Sequence, residues 1–170
     1  MGGGKTHNMI AVGLLAKHPE FRQKVMGEVY QTTFHEPAKV IGFSGRESPR
    51  YGIWGHIAEQ LGKRDLFKDY YDPLEAPGQS AWINLLKGEK VVILLDELPT
   101  YFLGAKARQI GNSDLSVLTT QALANLLVAS GKEELKHVVI VISDLTANYA
   151  EGSEKISQAL DNYAAEVSRV

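Results

Sequence analysis

Two short stretches of this sequence carry residue types arranged for chemistry. One is Gly2-Gly3-Gly4-Lys5-Thr6; the other is Asp96-Glu97, at the end of the apolar run Val91–Leu95. A glycine run lets the backbone turn tightly, so that several N–H groups converge on one anion. A lysine directly after it neutralises phosphate charge, and the hydroxyl of the following threonine is a ligand for Mg²⁺. A helix opening at this point adds its N-terminal dipole to the same anion. In the second stretch, Asp96 is suited to hold Mg²⁺ through water, and Glu97 to polarise an attacking water. Together these are the Walker A and Walker B patterns, and the expected ligands are ATP and Mg²⁺. Each stretch alone has a plainer reading: a flexible glycine-rich leader, and a core strand running into an acidic turn. Both motifs in this order favour the nucleotide reading.

The full phosphate-loop pattern is G-x-x-x-x-G-K-[ST]. With Gly4 as its second glycine, the first would fall before Met1. The strand that feeds such a loop is also missing. The expectation is therefore a sequence that begins inside its own motif.

Other residues carry two readings each. Ser143 ends a third apolar run, where a hydroxyl can sense phosphate and orient water, or cap the following turn. Asp144 can assist Mg²⁺, although starting the turn is favoured. Arg108 and Arg169 are the candidate arginine fingers acting on a neighbouring subunit of a homo-oligomer; a solvated surface arginine is favoured for both. Trp54 can be a platform for a nucleotide base, but a core anchor is favoured, and packing is favoured for Tyr70-Tyr71.

The elements that must position these residues are legible from apolar periodicity and breakers. Helices are expected over Lys5–Lys17, where Met9, Ile10, Val12, Leu14 and Leu15 give a broad apolar surface, and in shorter form over Glu20–Tyr30. Gly13 weakens the first of them. Further helices are expected over Ile53–Leu61, Gln79–Leu86, Leu115–Ala129 and Ser153–Val167, and Pro99–Asp114 reads as a loop or irregular helix. Strands are expected over Ala38–Phe43, Val91–Leu95 and His137–Ile142. Continuous apolar runs separated by helices argue for a parallel sheet, buried on both faces, with right-handed crossovers. The expected class is α/β, a three-layer P-loop NTPase domain over residues 1–170 that lacks the P-loop strand. A Glu after the Walker B Asp favours the branch with an added strand between the P-loop strand and the Walker B strand. The strand order is then 38–43, 91–95, 137–142. The last would present an unpaired apolar edge, a template for association with another chain.

Composition narrows the partners. A net charge of −2 gives no support for a nucleic-acid surface. The absence of cysteine excludes a disulfide framework and thiolate metal sites, as is compatible with a reducing cytoplasm. The histidines never fall at zinc-ligand spacing. No apolar run approaches the roughly 20 residues of a membrane span.

On these residues the sequence resembles an uncharacterised prokaryotic family of AAA+-like P-loop ATPases. Its members are large proteins, often encoded beside DNA methyltransferases and helicases in restriction-like or phage-defence loci. The matching pieces are GGGKTH at Gly2–His7, WGHIAEQLG at Trp54–Gly62, APG at Ala76–Gly78, VVILLDELPTYF at Val91–Phe102 and VVIVISDL at Val138–Leu145. The resemblance implies nucleotide binding at Gly2, Gly3, Gly4, Lys5 and Thr6, with His7 grouped beside them. It implies catalysis through Asp96 and Glu97, with Ser143 beside them. It also implies a place among DNA-modification or defence proteins. Relative to such proteins the sequence looks truncated at both ends.

Overall fold

The computed structural model describes residues 4–31 and 35–143. Gly2, Gly3, Asp144, Arg169 and the helix expected over Ser153–Val167 lie outside the described residues. In chain order the helices are α1 (Lys5–Lys17), α2 (Arg22–Met26), α3 (Gly52–Gln60), α4 (Gln79–Leu86), α5 (Leu98–Lys106) and α6 (Leu115–Ser130). The strands are β1 (Lys39–Ser44), β2 (Val91–Asp96), β3 (Gln109–Ile110), β4 (Ser113–Asp114) and β5 (Val138–Ile142). The strands β1, β2 and β5 form a parallel sheet in the order β1-β2-β5, as the apolar runs predict. In its register Ser44 stands opposite Asp96, and Leu95 opposite Ile142. The strand ends that carry polar residues therefore share one edge of the sheet.

Successive strand residues point to opposite faces. On one face Ile41, Phe43, Ile93 and Leu95 join the core with Trp54, Ile57, Trp82 and Leu126. Trp82 is wholly buried and donates its indole N–H to the Ala122 carbonyl (2.9 Å), so this large apolar ring leaves no polar atom unpaired. Helix α6 begins where the Asp114 carboxylate accepts from the backbone N–H groups of Ser116 (2.8 Å) and Val117 (3.1 Å), an N-cap that satisfies two orphan donors.

The other face is covered by α1. A Cβ on Gly13 would lie 3.0 Å from Leu94 Cδ1 and 3.3 Å from Val40 Cγ1, so the helix approaches the sheet closest at this glycine. The residue that weakens α1 as an isolated helix is the one that lets it dock. Contact runs through the narrow stripe of Met9 and Gly13, one turn apart; Ile10 and Leu14 are about half exposed. Of the broad apolar surface read from the sequence, Ile10, Val12 and Leu14 are thus left exposed.

The stretch read as a loop or irregular helix instead forms α5 and a small antiparallel hairpin, β3–β4. Pro99 sits in the first turn of α5, where a missing N–H costs nothing, so proline does not interrupt the helix. The two edges of the main sheet differ. At β1 the Gln60 amide closes the edge, donating to the Gly42 carbonyl (2.8 Å) and accepting from its N–H (3.3 Å). Strand β5 pairs with β2 and with no other strand among the described residues.

Candidate functional site

The C-terminal edge of a parallel sheet is where open α/β folds gather ligands, because loops there leave a crevice. Asp96 is the last residue of β2, Ser44 the last of β1, and Ser143 follows β5 directly. Thr6 reaches the same place from the first turn of α1, and its hydroxyl donates to Asp96 Oδ2 at 2.7 Å. The two motif stretches, remote in sequence, are thereby in direct contact.

Asp96 is held by neutral donors. Its Oδ1 accepts the Glu97 N–H at 2.9 Å. Burial pushes its pKa up, but hydrogen bonds from the Ser143 and Thr6 hydroxyls and the Glu97 N–H outweigh this and hold it below the usual value. Ser143 is tied in through its own N–H, which donates to the Leu95 carbonyl at 3.0 Å. Among the described residues no group of three or more His, Cys, Asp or Glu side chains could hold a metal ion. A cation at Asp96 would therefore draw its remaining ligands from the Thr6 hydroxyl, water and a bound phosphate, as Mg²⁺ commonly does.

Glu97 is set differently. Its backbone is left-handed (φ 53°, ψ 31°), a conformation that costs a non-glycine residue about 1–3 kcal/mol and recurs at functional sites. The turn is enforced from the next strand: Gly45 donates its N–H to the Asp96 carbonyl (2.8 Å), and a Cβ at Gly45 would lie 1.8 Å from the Glu97 carbonyl oxygen. The Glu97 carboxylate accepts Arg46 Nε at 2.8 and 3.0 Å and Nη2 at 2.9 Å, and the Ser44 hydroxyl at 3.1 Å. The Arg46 guanidinium, helped by Ser44, holds its pKa below the usual range, against partial burial and the neighbouring Asp96 charge.

The remaining expected residues fall as follows. Gly4 is the residue before α1, with helical φ −97° and ψ −31°, and its carbonyl accepts the Asn8 N–H at 3.0 Å. Lys5 and His7 are exposed in the first turn. Arg108 donates Nη2 to the Arg50 carbonyl of its own chain (2.9 Å). Trp54 is fully buried, which leaves it no face for a base. Tyr71 stacks on Tyr51 with ring centres 4.4 Å apart, and Tyr70 packs edge-on against Phe67. A cavity of about 400 Å³ opens beside Thr6 and Asp96, bordered also by Met9, Phe43, His56 and Gln60.

Sequence reasoning missed Ser44 and Arg46 as members of the site. The available signal was positional. Ser44-Gly45-Arg46 follows the strand that neighbours Asp96-Glu97, and parallel strands bring such ends together.

A family model, the DUF499 N-terminal domain, matches residues 25–169, and the chain belongs to that family. Asp96, Glu97, Ser143, Ser44 and Arg46 lie within the matched residues, whereas Gly2–His7 precede them. No curated protein and no solved structure matches the chain.

Proposed function

We propose that this member of the DUF499 N-terminal domain family is a Mg-ATP-binding and hydrolysing module of the AAA+-like P-loop type. The observation that carries this reading is the 2.7 Å hydrogen bond from Thr6 to Asp96, with Glu97 next in the chain. A hydroxyl and a carboxylate in contact at the mouth of a cavity are suited to share one hydrated cation. Lys5, exposed at the start of α1, supplies positive charge where the helix dipole already favours an anion. The sheet order also supports the reading, because among the described residues β5 lies beside the strand that carries Asp96, as expected for the branch with an added strand.

In this mechanism the residues divide the work. Thr6 and Asp96 would hold a hydrated cation, which would neutralise phosphate charge. Lys5 holds the phosphate oxygens. Glu97, once its carboxylate leaves Arg46, would accept the proton of a water as that water bonds to the terminal phosphorus and the nucleoside diphosphate leaves. The Ser143 hydroxyl keeps Asp96 ionised and aimed. The resemblance to ATPases of DNA-modification and defence loci supports a role in such an assembly, in the cytoplasm and as a homo-oligomer. Arg108 and Arg169 remain the candidate fingers between its subunits. Among the described residues no helix is long and apolar enough to cross a membrane.

A titration with Mg-ATP, paired with phosphate release, tests the reading. Binding is expected in the parent chain and lost in Lys5→Ala, and Asp96→Asn should remove its dependence on Mg²⁺. Binding indifferent to Lys5→Ala overturns the nucleotide site. Lys5-dependent binding without any phosphate release favours the second reading, a non-catalytic module that keeps the fold.

A further inference from the structure

A second cavity, of about 290 Å³, lies between the loop after β1 and helix α5. Its walls include Pro49, Tyr101, Ala105 and Leu115, with the two arginines Arg46 and Arg108 among its lining residues. The apolar part of the wall is preformed: Tyr101, Ala105 and Leu115 are each at most 5% exposed. The Tyr101 hydroxyl is buried and has no hydrogen-bond partner of proper geometry among the described residues. The nearby Thr119 hydroxyl donates its own proton to the Leu115 carbonyl (2.7 Å).

The charges are arranged unevenly. Arg108 spends one N–H on the Arg50 carbonyl, and its charge works against the burial that raises the Tyr101 pKa. Arg46 is bound to Glu97, but its side chain is 77% exposed, and ion pairs so exposed are weak. Glu47 also lines the cavity and sets a limit on how much negative charge it accepts.

We propose that this cavity binds a small amphipathic anion: a carboxylate or phosphate ester with a compact apolar or aromatic body. The body rests on Pro49, Tyr101, Ala105 and Leu115, and the anionic head lies between Arg108 and Arg46. A guanidinium that forks onto the new anion is withdrawn from Glu97, because its planar donors serve one carboxylate-like partner well at a time. Ligand and Glu97 then compete for Arg46, and by linkage any change that frees Arg46 tightens the ligand. The site thus sets how long the Glu97 carboxylate stays occupied. The binding claim stands on the cavity and the observed Arg46–Glu97 pair and needs no nucleotide.

The test is a titration of the intact chain, without ATP, using phenyl phosphate and separately benzoate, followed by backbone amide NMR. Saturable shifts are expected at Gly45, Gly104 and Leu115. Arg108→Ala should weaken binding about tenfold, the effect of losing one charge-assisted contact. Gly104→Leu should block it: Gly104 lines the cavity, and a Cβ there meets nothing within 4 Å, so the first added carbon clashes with no neighbour. Glu97→Gln should tighten binding several-fold. Shifts confined to Gly4–His7, or binding at the cavity amides unchanged by Arg108→Ala and Gly104→Leu, would overturn the site. Unchanged affinity in Glu97→Gln would overturn the competition for Arg46. Loss of ATP binding in Lys5→Ala bears on the nucleotide reading alone.

Discussion

Asp96 takes its hydrogen bonds from neutral groups, the Thr6 and Ser143 hydroxyls and the Glu97 N–H. Glu97, one residue later, is gripped by the Arg46 guanidinium. Neutral donors fix a carboxylate in place and keep it ionised without cancelling its charge, so Asp96 remains attractive to a cation. A guanidinium does the opposite: it keeps Glu97 ionised but spends its charge and lowers its basicity. The pair teaches how one sequence dipeptide becomes two chemical tools. The difference arises because β2 ends between them. Asp96 still lies in the strand, facing Thr6, whereas Glu97 has turned into the left-handed region and faces the loop after β1.

The largest effect should separate the two carboxylates by function. Glu97→Gln should keep Mg-ATP affinity and lower phosphate release by about 10²–10⁴-fold, since the amide keeps shape but cannot accept a proton. Release at the parent rate would remove Glu97 from the role of base.

Next comes the backbone that turns Glu97 away from Asp96. Gly45→Ala would drive a Cβ into the Glu97 carbonyl, 1.8 Å away in the present geometry. A neighbour of that kind is backbone and cannot swing aside, so the expected loss is about 2–3 kcal/mol in urea denaturation. Parent-like stability would mean the turn at Glu97 is not fixed from β1.

A smaller and opposite effect is expected from Arg46→Ala. Freeing Glu97 should raise its pKa toward the ordinary range and increase phosphate release, by no more than about tenfold. A fall in the rate would show that Arg46 assists the reaction rather than restraining it.

The smallest effect lies in acid stability. The folded pKa of Asp96 is depressed below 3.8, so its contribution is fully present above that value and is lost as pH falls through the lower folded one. Asp96→Asn should therefore flatten the acid limb of the stability profile below about pH 4 while changing little between pH 5 and 7. Parallel acid limbs in the two proteins would mean that the Thr6 and Ser143 hydrogen bonds do not persist in solution.

Much of this molecule was written in local sequence. Continuous apolar runs at Val91–Leu95 and Val138–Ile142 both form strands, but only β2 is largely buried, as the sequence expects of both; Val139 of β5 is half exposed. The breakers Pro19, Gly88 and Gly131 end elements where the structure ends them, near or at the expected residues. The order of the three strands followed from the acidic pair, and the structure has that order. The stretch Pro99–Asp114, read as a loop or irregular helix, holds most of the regular helix α5, because a proline fits a first turn though it breaks a helix interior.

What only the tertiary structure decided depends on groups brought together from far apart in the chain. Gly13 reads as a weakness in a helix until Leu94 and Val40 are seen pressing on it. Arg46 reads as a surface arginine until the parallel pairing of β1 with β2 sets it against Glu97. Propensity and periodicity act over a few residues, so they fix which segments are helix and strand. Hydrogen bonds and charge pairs between strand ends depend on register and crossover, which no local window contains. The sequence by itself thus determined the three main strands, most of the helices and the presence of Thr6, Asp96 and Glu97. The fold alone decided that Thr6 meets Asp96 and that Arg46 meets Glu97.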